Sequence, residues 1–302
     1  MTNLQHIIKI PLILSIEEVP FSHEMVKDYE GKVQEYVIER STKIQAYKFV
    51  YKSQGHKVIG YIVEPKEGNN LPALICNRGG SGEFGRIENE YLFTRPIARF
   101  AENGYVCITT QYSGNAGSEG VDEYGGSEIE DVLTLYKILK KYSRVDIKKV
   151  GMYGASRGGM MAYMVLARVK WLKAVVTHAG SADLISSEKF RQKMKAHYKK
   201  MFGGSLSEKK KRSAILWADR FPKKTPILMM HGTADWRVSV LDSLHLAEKL
   251  LENKVPYRLM VFEGGDHGLT EFKKESGMAA VSWFDRFVKN GEKMPNLKPH
   301  GL

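Results

Sequence analysis

Residues 150–158 read VGMYGASRG, an apolar strand-like run that continues into the turn GASRG, after which a helical pattern begins. The pattern G-x-S-x-G between a strand and a helix is typical of a nucleophile elbow, whose tight turn exposes the serine hydroxyl above the sheet. Small residues two before and two after the serine leave room for the strand and the helix to pack. No other serine in the chain satisfies the pattern. The stretch therefore predicts Ser156 as a catalytic nucleophile.

The elbow belongs to a longer alternation of strand-like and helical segments. Two strand-like runs at residues 45–51 and 58–63 are separated by a short loop, which predicts an antiparallel hairpin. From residue 74 onward strands alternate with helical patterns, one of which covers residues 91–102. Repeated strand-helix-strand units imply a mainly parallel central sheet with helices on both faces. Together with the elbow they predict an α/β protein with the α/β-hydrolase fold.

The same pass along the chain suggests how it is divided. Residues 1–43 show no strong period and are predicted to form an N-terminal arm that is partly helical. Residues 44–302 form the predicted α/β-hydrolase catalytic domain. Within it, residues 180–224 are polar and lysine-rich without a strand pattern, which predicts two or three helices that form a small cap insertion. A purely structural excursion of the chain explains that composition equally well.

A serine hydroxyl is a weak nucleophile until a base removes its proton. In this fold the acid and then the histidine follow the serine along the chain. Asp235 and His267 each lie in a loop that leaves a predicted strand, after residues 227–230 and 259–262. Catalytic groups gather at the carboxyl ends of parallel strands. We therefore expect His267 to be the general base and Asp235 to orient it.

Three nearby residues compete for these roles. Asp266 adjoins His267, but neighbouring residues in a loop seldom point at each other, so it is a poor orienting acid. His231 could be a base, although we interpret it as a structural histidine that forms local hydrogen bonds at the end of a strand. His178 also ends a strand and is a minor candidate for substrate contact.

The developing oxyanion needs hydrogen-bond donors. The backbone N–H of Arg157, the residue after the nucleophile, is the first candidate. A second is expected from the glycine-rich loop after the third strand, at Gly79 or Gly80, where the backbone can approach a substrate closely. A plain turn is the alternative interpretation of that loop. We also expect Arg78 and Tyr112 to contact the substrate.

Composition limits the other functional classes. The chain has 302 residues, 43% hydrophobic and 26% charged, with a formal net charge of +12. The lysines are scattered over many predicted helices and no recognition module is visible, so no nucleic-acid partner is expected. We interpret the densest basic run, residues 209–212, as a solvated helix face.

Cysteine usage and hydropathy add further expectations. Cys76 and Cys107 each lie in an apolar strand-like run, which indicates small buried side chains and neither a disulfide framework nor a metal site. No cofactor is expected. No stretch reaches the ~20 apolar residues that span a bilayer, and no signal peptide is evident. We therefore expect a cytoplasmic protein without a membrane partner.

Several segments together resemble the prolyl oligopeptidase family of serine peptidases, over about residues 43–288. The segments most similar to the family are GASRGG at 154–159, HGTADWRV at 231–238, GGDHG at 264–268, GNAGSEG at 114–120 and RSAILWAD at 212–219. By this resemblance Ser156, Asp235 and His267 take the roles of the catalytic triad.

The chain also departs from the family pattern. Only about 43 residues precede the match, which is too few for the large β-propeller of full-length members. Arg78 stands where many members place a tyrosine or histidine, and Ser113 stands where members often have arginine. Arg78 supplies no side-chain hydroxyl for the oxyanion, and the peptide specificity of the family is not carried over to this chain.

The leading functional prediction is a serine hydrolase that cleaves short peptides or aminoacyl amides by acyl transfer. Ser156 attacks the carbonyl while His267 takes its proton, Asp235 holds the imidazole tautomer, and water hydrolyses the acyl-enzyme. A carboxylesterase acting on small acyl esters would use the same residues. A non-enzymatic binding protein on a hydrolase scaffold is a third interpretation. The expected partner is a small-molecule or short-peptide substrate, and self-association into a homo-oligomer is left open.

Overall fold

The computed structural model describes Gln5 and residues 7–301. The chain divides into two compact units. The first contains residues 1–122 and 126–150, and the second contains residues 123–125 and 151–302. Of the predicted N-terminal arm, residues 1–4 and 6 lie outside the described part of the chain.

The first unit is built on an antiparallel ribbon extended by one parallel pair. Its strands are β1 Ile13–Glu18, β2 Ile44–Ser53, β3 His56–Pro65, β4 Leu71–Asn77 and β5 Val106–Thr110. β1 pairs with β2, β2 with β3 and β3 with β5, all antiparallel, while β5 and β4 are parallel. The predicted hairpin is confirmed as β2 and β3. Gln54 and Gly55 link them, both with positive φ, as a two-residue hairpin turn requires.

The helices of the first unit show how a proline divides a predicted element. They are α1 Gly31–Lys43, α2 Tyr91–Thr94, α3 Pro96–Glu102 and α4 Ile129–Leu139, with a short 3-10 turn at His23–Val26. The single helix predicted over residues 91–102 is therefore wrong. Arg95 adopts an extended backbone with φ −93° and ψ 176°, because the ring of Pro96 disfavours the helical conformation at the residue before it.

The N-terminal residues contribute more regular structure than the sequence suggested. β1 adds a strand to the edge of β2, with Ile16 opposite Phe49. Buried and exposed side chains do not alternate regularly along β1, since Ile13 is buried while both Leu14 and Ser15 are exposed. An outer strand with one weakly covered face carries little of the period-2 pattern by which strands are found in a sequence.

The second unit carries parallel strands that lead into the elbow sequence and follow it. They are β6 Val145–Ala155, which begins in the first unit, and β7 Val175–His178, β8 Ile227–Gly232 and β9 Tyr257–Phe262. β6 pairs with β7, β7 with β8 and β8 with β9, all parallel. β8 is buried along its whole length, as expected for a strand covered on both faces. The predicted parallel strands are thus confirmed, and their carboxyl ends lie side by side.

Helices connect these strands and fill the stretch from 180 to 224. They are α5 Arg157–Leu166, α6 Leu184–Phe190, α7 Lys193–Phe202, α8 Leu206–Lys211, α9 Val240–Glu252 and α10 Lys273–Phe284, with 3-10 turns at Ala214–Leu216 and Ala218–Arg220 and a π turn at Asp285–Lys289. The helical character predicted for residues 180–224 is confirmed. Among the described residues, no helix is both long enough and apolar enough to cross a membrane.

One residue of the basic run at 209–212 contradicts its interpretation as a solvated face. Arg212 is buried. Its Nε donates to the Tyr124 carbonyl oxygen at 2.9 Å and its Nη2 to the Glu123 carbonyl oxygen at 3.0 Å. An ion pair of 2.6 Å joins it to Glu208. Residues 123 and 124 lie far from 212 in sequence, so the local run of charges could not reveal this burial.

Candidate active site

Ser156 occupies a strained turn between β6 and α5. Its backbone has φ 56° and ψ −122°, a region that residues other than glycine rarely adopt and that is typical of the nucleophile elbow. The Ser156 N–H donates to the carbonyl oxygen of His178 at 2.8 Å, which ties the turn to the end of β7. The side chain forms no capping hydrogen bond to α5. The turn therefore leaves the hydroxyl available for chemistry.

The glycines around Ser156 have a packing reason. A Cβ on Gly154 would lie 2.1 Å from the carbonyl oxygen of Gly158, and a Cβ on Gly159 would lie 2.5 Å from the Cα of Gly180. Both neighbours are backbone atoms, which cannot move aside without distorting the turn. The structure thus supports the reason that the sequence suggested for small residues on either side of the serine.

Asp235 and His267 are brought together from the loops after β8 and β9. The distance between His267 Nδ1 and Asp235 Oδ2 is 2.7 Å. The two loops are neighbours because β8 and β9 are paired up to Gly232 and Phe262. The Asp235 carboxylate can therefore hold the imidazole with Nδ1 protonated, which leaves Nε2 as the basic nitrogen.

The surroundings of Asp235 favour its ionised form. Its side chain is buried, and Oδ1 accepts hydrogen bonds from the backbone N–H groups of Arg237 and Val238 at 2.8 and 3.0 Å. Burial alone would raise the pKa of this carboxyl. Hydrogen bonds from His231 and His267 and the charge of His267 outweigh burial, so the pKa of Asp235 lies well below its usual value. A charged Asp235 is what stabilises an imidazolium during proton transfer.

Two of the competing residues form local hydrogen bonds. His231 is fully buried, with Nδ1 at 2.7 Å from Ser243 Oγ. Its Nε2 lies 3.0 Å from the Val238 carbonyl oxygen and 3.2 Å from Asp235 Oδ2. Its interpretation as a structural histidine with local hydrogen bonds is confirmed. Asp266 accepts hydrogen bonds from the backbone N–H groups of Gly268 and Thr270. It therefore shapes the loop that carries His267.

His178 is a residue whose place next to the triad the sequence indicated only weakly. It ends β7, and its Nε2 is buried without a hydrogen-bond partner in the described structure. Burial, followed by the charges of His267 and His231, lowers the pKa of His178 to about 4. His178 is consequently neutral at pH 7 and adds no positive charge beside the candidate base.

The base is hydrogen-bonded to the acid but not to the serine in the described structure. In the part of the chain that the structure describes, Ser156 Oγ forms no hydrogen bond with His267. In many enzymes this bond becomes short and aligned only in the substrate complex. The serine turn is bonded to the end of β7 through the His178 carbonyl oxygen, and the charge of His267 contributes to the lowered pKa of the His178 ring.

The predicted oxyanion donors occupy two different turns. Arg157 begins α5, so its backbone N–H lies in the first turn of a helix, where N–H groups have no intrahelical acceptor and the helix dipole favours negative charge. Gly80 has φ 75°, and a Cβ there would lie 2.0 Å from the Phe84 carbonyl oxygen. The turn itself therefore requires Gly80. Oxyanion binding at Arg157, Gly79 and Gly80 stays a prediction.

Arg78 and Tyr112, predicted to contact substrate, are both buried in the first unit. The Arg78 guanidinium donates to the Gln111 carbonyl oxygen at 3.1 Å and to Asn115 Oδ1 at 2.9 Å. It also donates to the carbonyl oxygens of Gly79, Gly82 and Phe84. The Tyr112 hydroxyl donates to the Arg78 carbonyl oxygen at 3.0 Å. These bonds position the loop, and substrate contact by either side chain stays a prediction.

Asn115 is a loop-positioning residue to which the sequence assigned no role. Its Oδ1 accepts from both Arg78 and the Gly82 N–H, and its Nδ2 donates to the Ser113 carbonyl oxygen at 2.8 Å. Asn115 lies in the turn-rich run 114–120, and this run was the sequence feature that could have indicated its role in positioning the loop. Within the described residues, no group of three histidine, cysteine, aspartate or glutamate side chains is arranged to hold a metal ion.

Known proteins resemble this chain in sequence and in fold. The uncharacterised peptidase YtmA of Bacillus subtilis is 28% identical over 257 residues, which cover 83% of this chain and 95% of the relative. Dipeptidyl-peptidase 5 of Porphyromonas gingivalis is 25% identical over 84% of this chain and 39% of its own length. The acylaminoacyl peptidase of Pyrococcus horikoshii is 18% identical, with a TM-score of 0.73 over 88% of this chain and 45% of that chain.

These similarities confirm the α/β-hydrolase fold that the elbow and the alternating elements predicted. The chain spans less than half the length of the dipeptidyl-peptidase and of the acylaminoacyl peptidase. Residues 92–291, about two thirds of the chain, match the Peptidase_S9 family, described as the prolyl oligopeptidase family. This chain belongs to the prolyl oligopeptidase family of serine peptidases.

Proposed function

We propose that this enzyme hydrolyses short peptides or aminoacyl amides through an acyl-enzyme on Ser156. The observation that carries the proposal is the 2.7 Å contact between His267 Nδ1 and the buried, ionised Asp235. Ser156 lies in the strained turn after β6, a strand of the same parallel series as β8 and β9. A nucleophile after β6, a group that orients the base after β8 and a base after β9 form the constellation that acyl transfer requires.

The proposed reaction begins with attack of Ser156 Oγ on the scissile carbonyl. His267 Nε2 takes the hydroxyl proton as the new C–O bond forms, and Asp235 stabilises the resulting imidazolium. The Arg157 N–H donates to the oxyanion, and the Gly79 or Gly80 N–H is the predicted second donor. His267 then gives its proton to the leaving amine, the acyl-enzyme forms, and water attacks it in the reverse sequence of proton transfers.

Short substrates are supported by the relatives. The chain matches a dipeptidyl-peptidase and, in fold, an acylaminoacyl peptidase, whose names describe the removal of small groups from peptides. In this proposal the enzyme works in the cytoplasm, as the sequence suggested. A carboxylesterase would use the same residues, because an ester has a better leaving group than an amide and makes a smaller demand on the general acid.

A paired assay separates the two activities. Dipeptidyl and aminoacyl p-nitroanilides would be compared with short-chain p-nitrophenyl esters, with the wild type and Ser156→Ala. We expect anilide turnover in the wild type and its loss in the variant. Ester turnover without anilide turnover, also lost in the variant, would replace the peptidase proposal by the esterase. Activity that survives in Ser156→Ala would contradict both.

A further inference from the structure

An exposed tryptophan adjoins the candidate triad acid. Trp236 follows Asp235 directly, and its relative exposure is 56%. The next two backbone N–H groups, of Arg237 and Val238, are bound to Asp235 Oδ1, so the loop that carries the ring is fixed on the triad carboxylate. Large aromatic side chains are usually well covered. An exposed indole in a fixed loop beside catalytic residues is a surface suited to binding.

Three cationic side chains gather around this ring. The guanidinium carbons of Arg237 and Arg191 lie 4.6 and 5.1 Å from the ring centroid, and Lys193 Nζ lies 5.5 Å from it. Arg191 follows α6 and Lys193 begins α7, so the predicted cap segment supplies two of the charges. The ring attracts each cation. The cations repel one another, and a bound anion would relieve that repulsion.

The two cap cations lack acidic partners. Neither Arg191 nor Lys193 forms an ion pair with any residue in the described part of the chain, and Arg191 Nε is buried without a hydrogen-bond partner. Glu188, the acidic residue of α6, is paired with Lys209 at 2.8 Å. A buried N–H without an acceptor is unfavourable. Arg191 and Lys193 therefore bring donors and positive charge that no acidic side chain of the described residues neutralises by an ion pair.

We propose that Trp236, Arg191 and Lys193 form a subsite that binds a carboxylate of the peptide substrate, an inference that rests on the proposed function. The planar fork of Arg191 matches the two oxygens of a carboxylate. Lys193 adds a second charge, and the indole face covers the adjoining apolar part of the peptide. The carboxylate belongs either to the free C-terminus of a short peptide or to an acidic side chain. The net charge of +12 also favours encounters with anionic substrates.

Two pairs of probes distinguish these sources. Ala-Ala-Ala would be compared with its C-terminal amide, and Ala-Asp-Ala amide with Ala-Asn-Ala amide. Each kcat/KM would be measured for the wild type and for the double variant Arg191→Gln/Lys193→Gln. Lys195→Gln/Lys199→Gln is the matched control, because it removes two exposed charges from the same helix, away from the ring.

We expect the wild type to prefer the carboxylate member of at least one pair. The double variant should lose roughly tenfold of that preference, since two partly exposed charge contacts are removed, while the control keeps it. Equal kcat/KM for both members of both pairs would overturn the subsite. So would an equal loss of preference in the double variant and the control, because only net charge would then matter.

A binding measurement keeps this test separate from the test of the reaction. Calorimetry with Ser156→Ala, which leaves Trp236, Arg191 and Lys193 in place, would measure the affinity for the same four peptides. Tighter binding of a carboxylate member, lost when Arg191→Gln/Lys193→Gln is added, supports the subsite even if the wild type cleaves none of them. Cleavage without any preference in binding or turnover supports the peptidase and overturns the subsite.

Discussion

Glycine-rich turns follow strands in both units of this chain, and they differ in what their polar side chains contact. In the second unit, the Ser156 hydroxyl is not used in its turn, and Asp235 and His267 bond to each other. In the first unit, Arg78 in the loop after β4 binds that loop's own backbone and Asn115, which follows β5. The loops of the second unit leave side chains available for chemistry, whereas the polar side chains of the first-unit loop hold the backbone in place.

Glycine content alone does not mark a reactive loop. Gly154 and Gly80 are both required, because a Cβ at either position would lie closer to a backbone oxygen than Cβ atoms do in real structures. The two turns differ in whether the polar side chains next to the glycines are hydrogen-bonded. A polar side chain that a turn leaves unbonded is a candidate for catalysis, and one with several backbone partners is a positioning residue.

The largest effect that this comparison predicts comes from the Ser156 turn. Ser156→Ala removes the attacking atom, so kcat on a p-nitroanilide that the wild type cleaves should fall about 10⁴-fold or more. Steady-state kinetics with matched circular dichroism spectra would measure it. Ser207→Ala, an exposed serine on α8, is the control and should keep wild-type kcat. A fall in kcat of less than tenfold would show that Ser156 is not the nucleophile.

A somewhat smaller effect is expected at the acid. Asp235→Asn replaces the charged carboxylate and no longer favours the tautomer with a basic Nε2, so kcat should fall about 10³- to 10⁴-fold. Asp266→Asn is the sharp control, since Asp266 is adjacent to His267 in sequence but bonds to the loop backbone. If the Asp266 variant lost as much activity as the Asp235 variant, the assignment of the orienting acid would have to change.

The Arg78 loop should respond in stability. Arg78→Lys keeps the charge but loses the fork that reaches several carbonyl oxygens, so the free energy of unfolding should fall by about 3 kcal/mol. Denaturant titration measures this. Arg86→Lys, at an exposed arginine paired with Glu83 and Glu88, should cost less than about 1 kcal/mol. An Arg78 variant of normal stability with a strongly raised KM would instead support the predicted substrate contact.

The smallest effect concerns a second buried carboxylate, whose pKa moves opposite to that of Asp235. Asp242 Oδ2 accepts the backbone N–H groups of Ala182 and Asp183 at 2.8 and 3.0 Å. Burial raises the pKa of Asp242 to about 6, with Asp183 adding to the rise and the backbone donors and His231 opposing it. The folded chain therefore keeps this proton to higher pH than the unfolded chain. The stability from the neutral form is present below the unfolded pKa and is lost as the pH rises through about 6.

Asp242→Asn tests this sign directly. Asparagine keeps an oxygen for both N–H groups and has no proton to lose, so its free energy of unfolding relative to the wild type should rise by about 2 kcal/mol between about pH 4 and pH 7. Denaturant titrations across that range would measure the difference, with the exposed Asp28→Asn as the control. A difference that does not change with pH would show that Asp242 titrates normally.

Features carried by local sequence were predictable. The elbow fixes the turn at Ser156 within five residues, and the order of acid and histidine places Asp235 and His267 in loops after parallel strands. The hairpin of β2 and β3 followed from two strand-like runs and a short turn. In each case the deciding interactions lie among neighbouring residues or follow from the fold as a whole.

Features decided by distant contacts were not predictable. The buried Arg212 donates hydrogen bonds to carbonyl oxygens about ninety residues away in sequence. Arg78 likewise donates to residues 111 and 115. Two of the three cations around Trp236 come from residues 191 and 193, which no spacing pattern links to the acid loop. Pro96 was visible in the sequence, and its effect on the preceding residue should have divided the predicted helix.

The most direct test of the central claim is to locate the covalent adduct of a fluorophosphonate. The protein would be treated with the reagent and digested, and the modified residue would be identified by mass spectrometry. We expect one adduct on Ser156, absent in Ser156→Ala and formed much more slowly in His267→Ala, because the base no longer takes the hydroxyl proton. An adduct on another residue, or labelling that persists in Ser156→Ala, would contradict the account.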